Sequence, residues 1–217
     1  MNHLHIFLCR HAPREGGADH LTDVGKQQAH ALGEALRRSF PQGPCMGMCS
    51  GFLRTRETVA AILVGAGLSG APLTQEAALQ NTSFDPRWVQ GEIISANAAF
   101  NVFLQFGEKR PQREVRAPRE VAARLAQLLY RQLGAAASAA SVVAVTHSGM
   151  IEVLLAYLLD FRRVEAIGGC FDYLEGIRIL FAQDQNASLS MQPSFRGHTY
   201  SIANHTLQSL LQEGSSD

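Results

Sequence analysis

Apolar positions fall into two kinds of segment along the chain. Short unbroken runs occur at His5–Cys9 (HIFLC), Cys45–Ser50 and Ser141–Thr146 (SVVAVT), and such runs predict strands buried on both faces. Each is followed by a turn and then by apolar residues at helical spacing. After the first, Leu21-Thr22-Asp23-Val24-Gly25 opens a helix with Thr22 as cap and Leu21 as staple. Ala29, Leu32, Ala35 and Leu36 line it, and Pro41 and Gly43 close it. After the second, Val59, Ile62 and Leu63 make one helical face beyond Arg54–Thr58. After the third comes the nearly all-apolar helix Met150–Leu159.

A helix starting at Pro118, with Val121, Leu125, Leu128 and Leu129 on one side, precedes the third strand. Tyr173–Phe181 reads as a further strand that Ser188–Met191 can pair with. Alternating strands and helices predict an α/β three-layer sandwich: a mostly parallel sheet with helices on both faces. Residues 65–117 are less regular, carrying Pro72, Pro86, Pro111 and Trp88. The expectation there is a flap or insertion, with Ser95–Phe106 partly helical, on a single domain of residues 1–217.

Composition narrows the partners. Lys plus Arg and Asp plus Glu number 19 each, so no broad positive field draws in a nucleic acid, and any anion site must be local. The run Met150–Leu159 contains Glu152 and is shorter than the roughly 18 residues a membrane span requires. The first residues lack a cationic stretch followed by an apolar one, which makes the cytoplasm the expected compartment. Cys9, Cys45, Cys49 and Cys170 are too sparse for a disulfide framework, and no second pair completes a metal knuckle, so buried free thiols are expected. The sequence carries no signal of oligomeric state.

The chemistry sits at strand ends. His11 and His147 each follow an apolar strand and precede a turn, and Arg54 follows the second strand in the same way, with Arg10 beside His11. A parallel sheet gathers these groups at its carboxyl edge, where open α/β sheets hold ligands. Two guanidiniums and two imidazoles suit a phosphoryl dianion, helped by amides at the helix starts near Arg54 and Ser148-Gly149. The same clustered positive charge disfavours a divalent metal, and no cofactor is implied.

FLCRHAP resembles the RHG or RHA motif of the histidine phosphatase (phosphoglycerate mutase-like) superfamily. LTDVGKQQA is similar to its LTxxGxxQA helix opening, CSGFLRTRETV to its SSPLxRAxxTA segment, and VAVTHSGMIEVLL to its VxHGGxIRxLL segment. The resemblance implies His11 as the phosphorylated nucleophile, Arg10 and Arg54 as phosphate ligands and His147 as the second histidine of the phosphate pocket. It implies a metal-independent phosphatase acting on phosphomonoesters or phosphohistidine, with a phosphorylated small molecule or protein side chain as partner and neither nucleic acid nor membrane. Thr22 and Thr58 are expected to cap or pack.

The chain departs from the pattern in three places. Ala12 and Ser148 stand where glycine is usual, and a turn tolerates both. Many members place a general-acid glutamate some way beyond the RxxxT segment, and that position is filled by Asn81, which cannot donate as an acid. Glu76, then Asp85, then Glu92 lie near enough in sequence to substitute. Two alternatives to the phosphatase follow: a catalytically weak module that binds phosphorylated ligands, and a phosphomutase. His3, His5, His198 and His205 are expected to be structural or solvent-facing, and Trp88, Phe100, Phe103 and Phe106 to form a satellite core.

Overall fold

The computed structural model describes residues 2–16, 18–40, 43–80, 96–106, 117–135, 141–186 and 188–213. The strand β1 (Asn2–Arg10) is followed by α1 (Asp23–Arg37), β2 (Cys45–Cys49), α2 (Leu53–Gly65) and β3 (Leu73–Gln75). Then come α3 (Ala96–Phe106), α4 (Pro118–Ala135), β4 (Ser141–Thr146), α5 (Met150–Leu158), β5 (Gly176–Gln183), β6 (Leu189–Phe195), β7 (His198–Thr199) and α6 (Asn204–Glu213). The strands form one sheet in the order β3-β2-β4-β1-β5-β6-β7. The four strands from β3 to β1 run parallel; β5, β6 and β7 add antiparallel, so the sheet is mixed and its parallel part is the half that carries the histidines.

The unbroken apolar runs are explained by burial on both faces. Along β1, Leu4, Ile6 and Leu8 pack into the core beneath α3, α4, α5 and α6, while Phe7 and Cys9 pack into the opposite core beneath α1 and α2. On β4, Val142 and Ala144 face the first core and Val143 and Val145 the second. From Ile6 to Cys9 on β1 and along β4 no polar face alternates with the apolar one, as expected for central strands, while at the start of β1 His3 is exposed and His5 half-buried.

Helix α1 starts where expected: Thr22 Oγ1 accepts from Gly25 N at 2.9 Å. It ends at Arg37, short of Pro41, and its buried stripe is Gly25, Ala29, Gly33 and Leu36, with Ala35 exposed. Glycine sets this face because α1 and α2 touch backbone to backbone. A Cβ on Gly33 would lie 2.0 Å from Ile62 O, and one on Gly65 2.0 Å from His30 O.

Other expectations shift. The strand expected from Tyr173 begins at Gly176, because Leu174 turns the chain in a left-handed conformation (φ 60°). The strand expected over Ser188–Met191 runs on to Phe195 through Pro193, tolerable because the backbone of Pro193 faces the outer side of the sheet, where its carbonyl accepts from Tyr200 N and no ladder bond to β5 is lost. Phe100 and Phe103 belong to the main core rather than a satellite one. Trp88, Asn81, Asp85, Pro86, Glu92 and Pro111 lie outside the described residues. All four cysteines are free, three buried and Cys170 half-buried. Among the described residues no helix is long and apolar enough to cross a membrane.

Candidate active site

Strand register brings the histidines together. Arg10 pairs with Thr146 across β1 and β4, so His11 and His147 are the next residues on adjacent parallel strands. The ladder continues one bond further, from His11 N to Thr146 O at 3.0 Å. The ring centroids lie 5.5 Å apart and both rings are buried. Arg54, one residue inside α2, reaches the same place and sets its Nη2 3.2 Å from His147 Nδ1. The sheet edge thus gathers the groups that the strand ends predicted.

Hydrogen bonds fix both tautomers. His11 Nδ1 lies 2.8 Å from Ala12 O, and since a carbonyl only accepts, Nδ1 carries the proton and Nε2 holds a lone pair. For His147 the reverse holds. A guanidinium only donates, so Nδ1 accepts from Arg54 and Nε2–H donates to Ser50 Oγ at 2.8 Å. Ser50 passes the chain to Thr55 Oγ1 at 2.8 Å, and Thr55 donates to Phe52 O at 2.7 Å.

Desolvation by burial is the main reason that both imidazoles titrate low. His11 is lowered to about 4, with Arg54, Arg10 and Arg14 adding to the effect against the Ala12 bond. His147 is lowered to about 3, with Arg54 and then His11 adding. Both rings are therefore neutral at pH 7 in the free protein, as a nucleophilic imidazole requires.

The arginines are partly engaged. Arg10 donates from Nη1 to Phe171 O at 3.1 Å and lies with Cζ 4.1 Å from the centroid of Tyr173. Arg54 donates from Nη1 to Asp19 at 2.5 Å and lies 4.2 Å from the centroid of Phe52. The buried Nε of each has no hydrogen-bond partner among the described residues. An unpaired buried donor costs about 1–3 kcal/mol, which a bound anion would relieve.

The helix starts differ from expectation. Asp19 Oδ2 takes Leu53 N at 2.9 Å, and Glu152 Oε2 takes Gly149 N at 3.0 Å, so carboxylates of the chain already occupy these amides. For Asp19, burial pushes the carboxyl up, but the Leu53 N–H and Arg54 together hold it below its ordinary value. Glu152 is fully buried, which raises its carboxyl, and its other oxygen accepts from Phe171 N at 2.8 Å. It therefore links the turn after His147 to the segment on which Arg10 rests. The left-handed position in that turn falls on Gly149 (φ 88°), which is why serine is tolerated at 148.

Thr58 acts as a tether, accepting from Ala12 N at 3.0 Å while donating to Arg54 O at 2.7 Å. Glu76 lies half-buried just after β3, its amide bonded to Cys49 O, and its carboxylate has no hydrogen-bond or ion-pair partner among the described residues. Asp85 falls outside them. Ser50, Asp19, Phe52 and Tyr173 were not singled out from sequence. Ser50 is the second residue of the CSGFLRTRETV segment, which marks its neighbourhood, whereas Asp19 sits in a loop that carries no such signal.

The sequence model of the histidine phosphatase superfamily (branch 1) matches residues 6–191. The chain belongs to this superfamily. No curated protein sequence matches it. Among solved structures, a mycobacterial hydrolase superposes with a TM-score of 0.63 at 16% identity, covering 92% of this chain and 100% of that one. A mycobacterial glucosyl-3-phosphoglycerate phosphatase gives 0.59 at 18% identity, over 84% and 91%. Phosphoglycerate mutase from Bacillus anthracis gives 0.58 at 15%, over 99% and 98%. At these identities the likeness is one of fold. Membership of the superfamily makes a phosphatase or a mutase activity plausible and places the four motifs within the matched span.

Proposed function

We propose that the chain is a phosphatase that hydrolyses phosphomonoesters or phosphohistidine through a phosphohistidine on His11, without a metal. One observation carries this reading: the Nδ1–H of His11 is held by Ala12 O, so the Nε2 lone pair is presented beside a second histidine and two arginines. Nε2 attacks phosphorus and the bond to the leaving oxygen breaks, its electron pair going to that oxygen, which takes up a proton. Water then attacks the phosphohistidine, the P–N bond breaks and inorganic phosphate leaves. Arg10, Arg54 and His147 neutralise the equatorial oxygens, and positioning with charge neutralisation accounts for most of what phosphoryl transfer needs. Glu76 and Asp85 are the candidates for the proton donor, the first available from the loop beyond β3 and the second from residues 81–95.

The test is hydrolysis of an activated phosphate ester in excess chelator. Wild type is expected to turn over and to form an acid-labile phosphoenzyme; His11→Ala is expected to do neither. Glu76→Gln is expected to slow alkyl esters more than aryl ones if Glu76 is the donor. Phosphate binding with no turnover would favour a binding module, and transfer between two hydroxyls of one substrate a mutase.

A further inference from the structure

Four rings form a chain of neighbours across the site. Phe52, His147, His11 and Tyr173 follow one another with centroid separations of 5.1, 5.5 and 5.5 Å. The two inner rings are buried, whereas the outer two are each 39% exposed. The arrangement is paired: Arg54 lies on Phe52 and Arg10 on Tyr173, so each exposed ring backs one guanidinium and touches one histidine. With a guanidinium against one face, the exposed area is the rim and the opposite face.

Both rings are held in place. The main chain of Phe52 is fixed at the start of α2, where its carbonyl accepts from Thr55 N and Arg56 N. Tyr173 stands on a loop braced by Arg196, which donates to the carbonyls of Ile167, Gly169 and Cys170 and pairs with Glu175 at 2.7 Å. Leu174, next to it, keeps a left-handed φ of 60°, a conformation that persists in a non-glycine residue only where its surroundings enforce it. A preformed apolar surface at the rim of a polar pocket binds without the cost of ordering it first.

We propose that the phosphorylated group this site accepts is an aryl phosphate, a phenolic monoester whose phosphoryl enters between the histidines and arginines while its ring is received by Phe52 and Tyr173. The proposal rests on the phosphoryl pocket described above and adds the class of group attached to it. In turnover the P–O(aryl) bond would break, the electron pair leaving on the phenolate oxygen, which then takes a proton from water.

Phosphonates test this without any leaving-group effect, because phenylphosphonate and methylphosphonate carry the same anion and have no scissile P–O bond. Calorimetry on wild type is expected to show phenylphosphonate binding about tenfold more tightly, as two aromatic contacts provide. The ratio is expected to fall below about threefold in Phe52→Leu or Tyr173→Leu and to persist in Tyr173→Phe. A wild-type ratio near one, no binding of either phosphonate, or a ratio unchanged in both leucine variants would overturn the proposal. Should a variant fail to fold, the wild-type ratio decides by itself. Phenyl phosphate and a short phosphotyrosine peptide, assayed together, separate a small-molecule source from a protein one; preference for the aryl group in either supports the proposal, and in neither opposes it. Aryl preference without a phosphoenzyme removes the catalytic reading and leaves this one standing, and turnover without aryl preference does the opposite.

Discussion

The two halves of the site share a plan and differ in one respect. Each has a histidine beyond a parallel strand, an arginine beside it and an aromatic ring under that arginine. His147 is bonded at both nitrogens, to Arg54 and to Ser50. Among the described residues His11 is bonded at one only, to a main-chain carbonyl. A ring saturated on both sides is held and cannot attack; a ring oriented from one side keeps its other nitrogen for chemistry. In the proposed mechanism this difference assigns the nucleophile's role to His11 and the anion ligand's to His147.

The strongest way to break this comparison is to remove each ring in turn. His11→Ala is expected to lower kcat by at least about 10³-fold and to abolish the phosphoenzyme, whereas His147→Ala is expected to lower kcat by roughly 10²-fold and still form it. Quenched-flow labelling with a radioactive ester reads both. A phosphoenzyme in His11→Ala would reverse the assignment.

Titration sharpens the comparison. The unfolded chain protonates its histidines near their ordinary value of 6.5, but the folded protein resists until about 4 and about 3. The unfolded state therefore binds more protons in that window, and stability falls as pH drops from 6.5 toward 4. Sulfate, a dianion throughout this range, should oppose the loss. Protonating His147 Nδ1 frees it and Arg54 Nη2 from each other and turns both toward the anion. Sulfate affinity is expected to rise by up to about tenfold per pH unit between 7 and 5, and less in His147→Ala. Calorimetry across pH measures it, and a flat profile in wild type would show that His147 takes up no proton.

The smallest expected effect comes from Ser50→Ala. Without its acceptor, His147 Nε2–H loses its orienting partner, and kcat/KM is expected to fall roughly tenfold with the phosphoenzyme still formed. An unchanged value would make Ser50 a packing residue only.

How much of this was legible in the sequence depended on how local the cause was. His11, Arg10, Arg54 and His147 could be placed because strands buried on both faces write continuous apolar runs, and the chemistry begins where those runs stop. Thr22 announced its helix through a bond three residues long. Tyr173 was misplaced into a strand because the apolar pattern of its neighbours continues, whereas the turn depends on Leu174 and on Arg196, distant in the chain. The α1 stripe was drawn through Ala35 because nothing near Gly33 reveals that α2 approaches its backbone. Asp19 and Glu152 could be seen as charges but not as partners of helix starts, since Leu53 and Phe171 reach them only in the fold.

The bond from His11 N to Thr146 O makes the histidine pair a continuation of the central ladder rather than an ornament on loops. Separating the two rings therefore means unzipping the strands that hold both cores together. Loops around the pocket can be rebuilt by mutation to suit new ligands, while the distance between the imidazoles stays as durable as the sheet itself, and loss of that distance in denaturant should coincide with global unfolding.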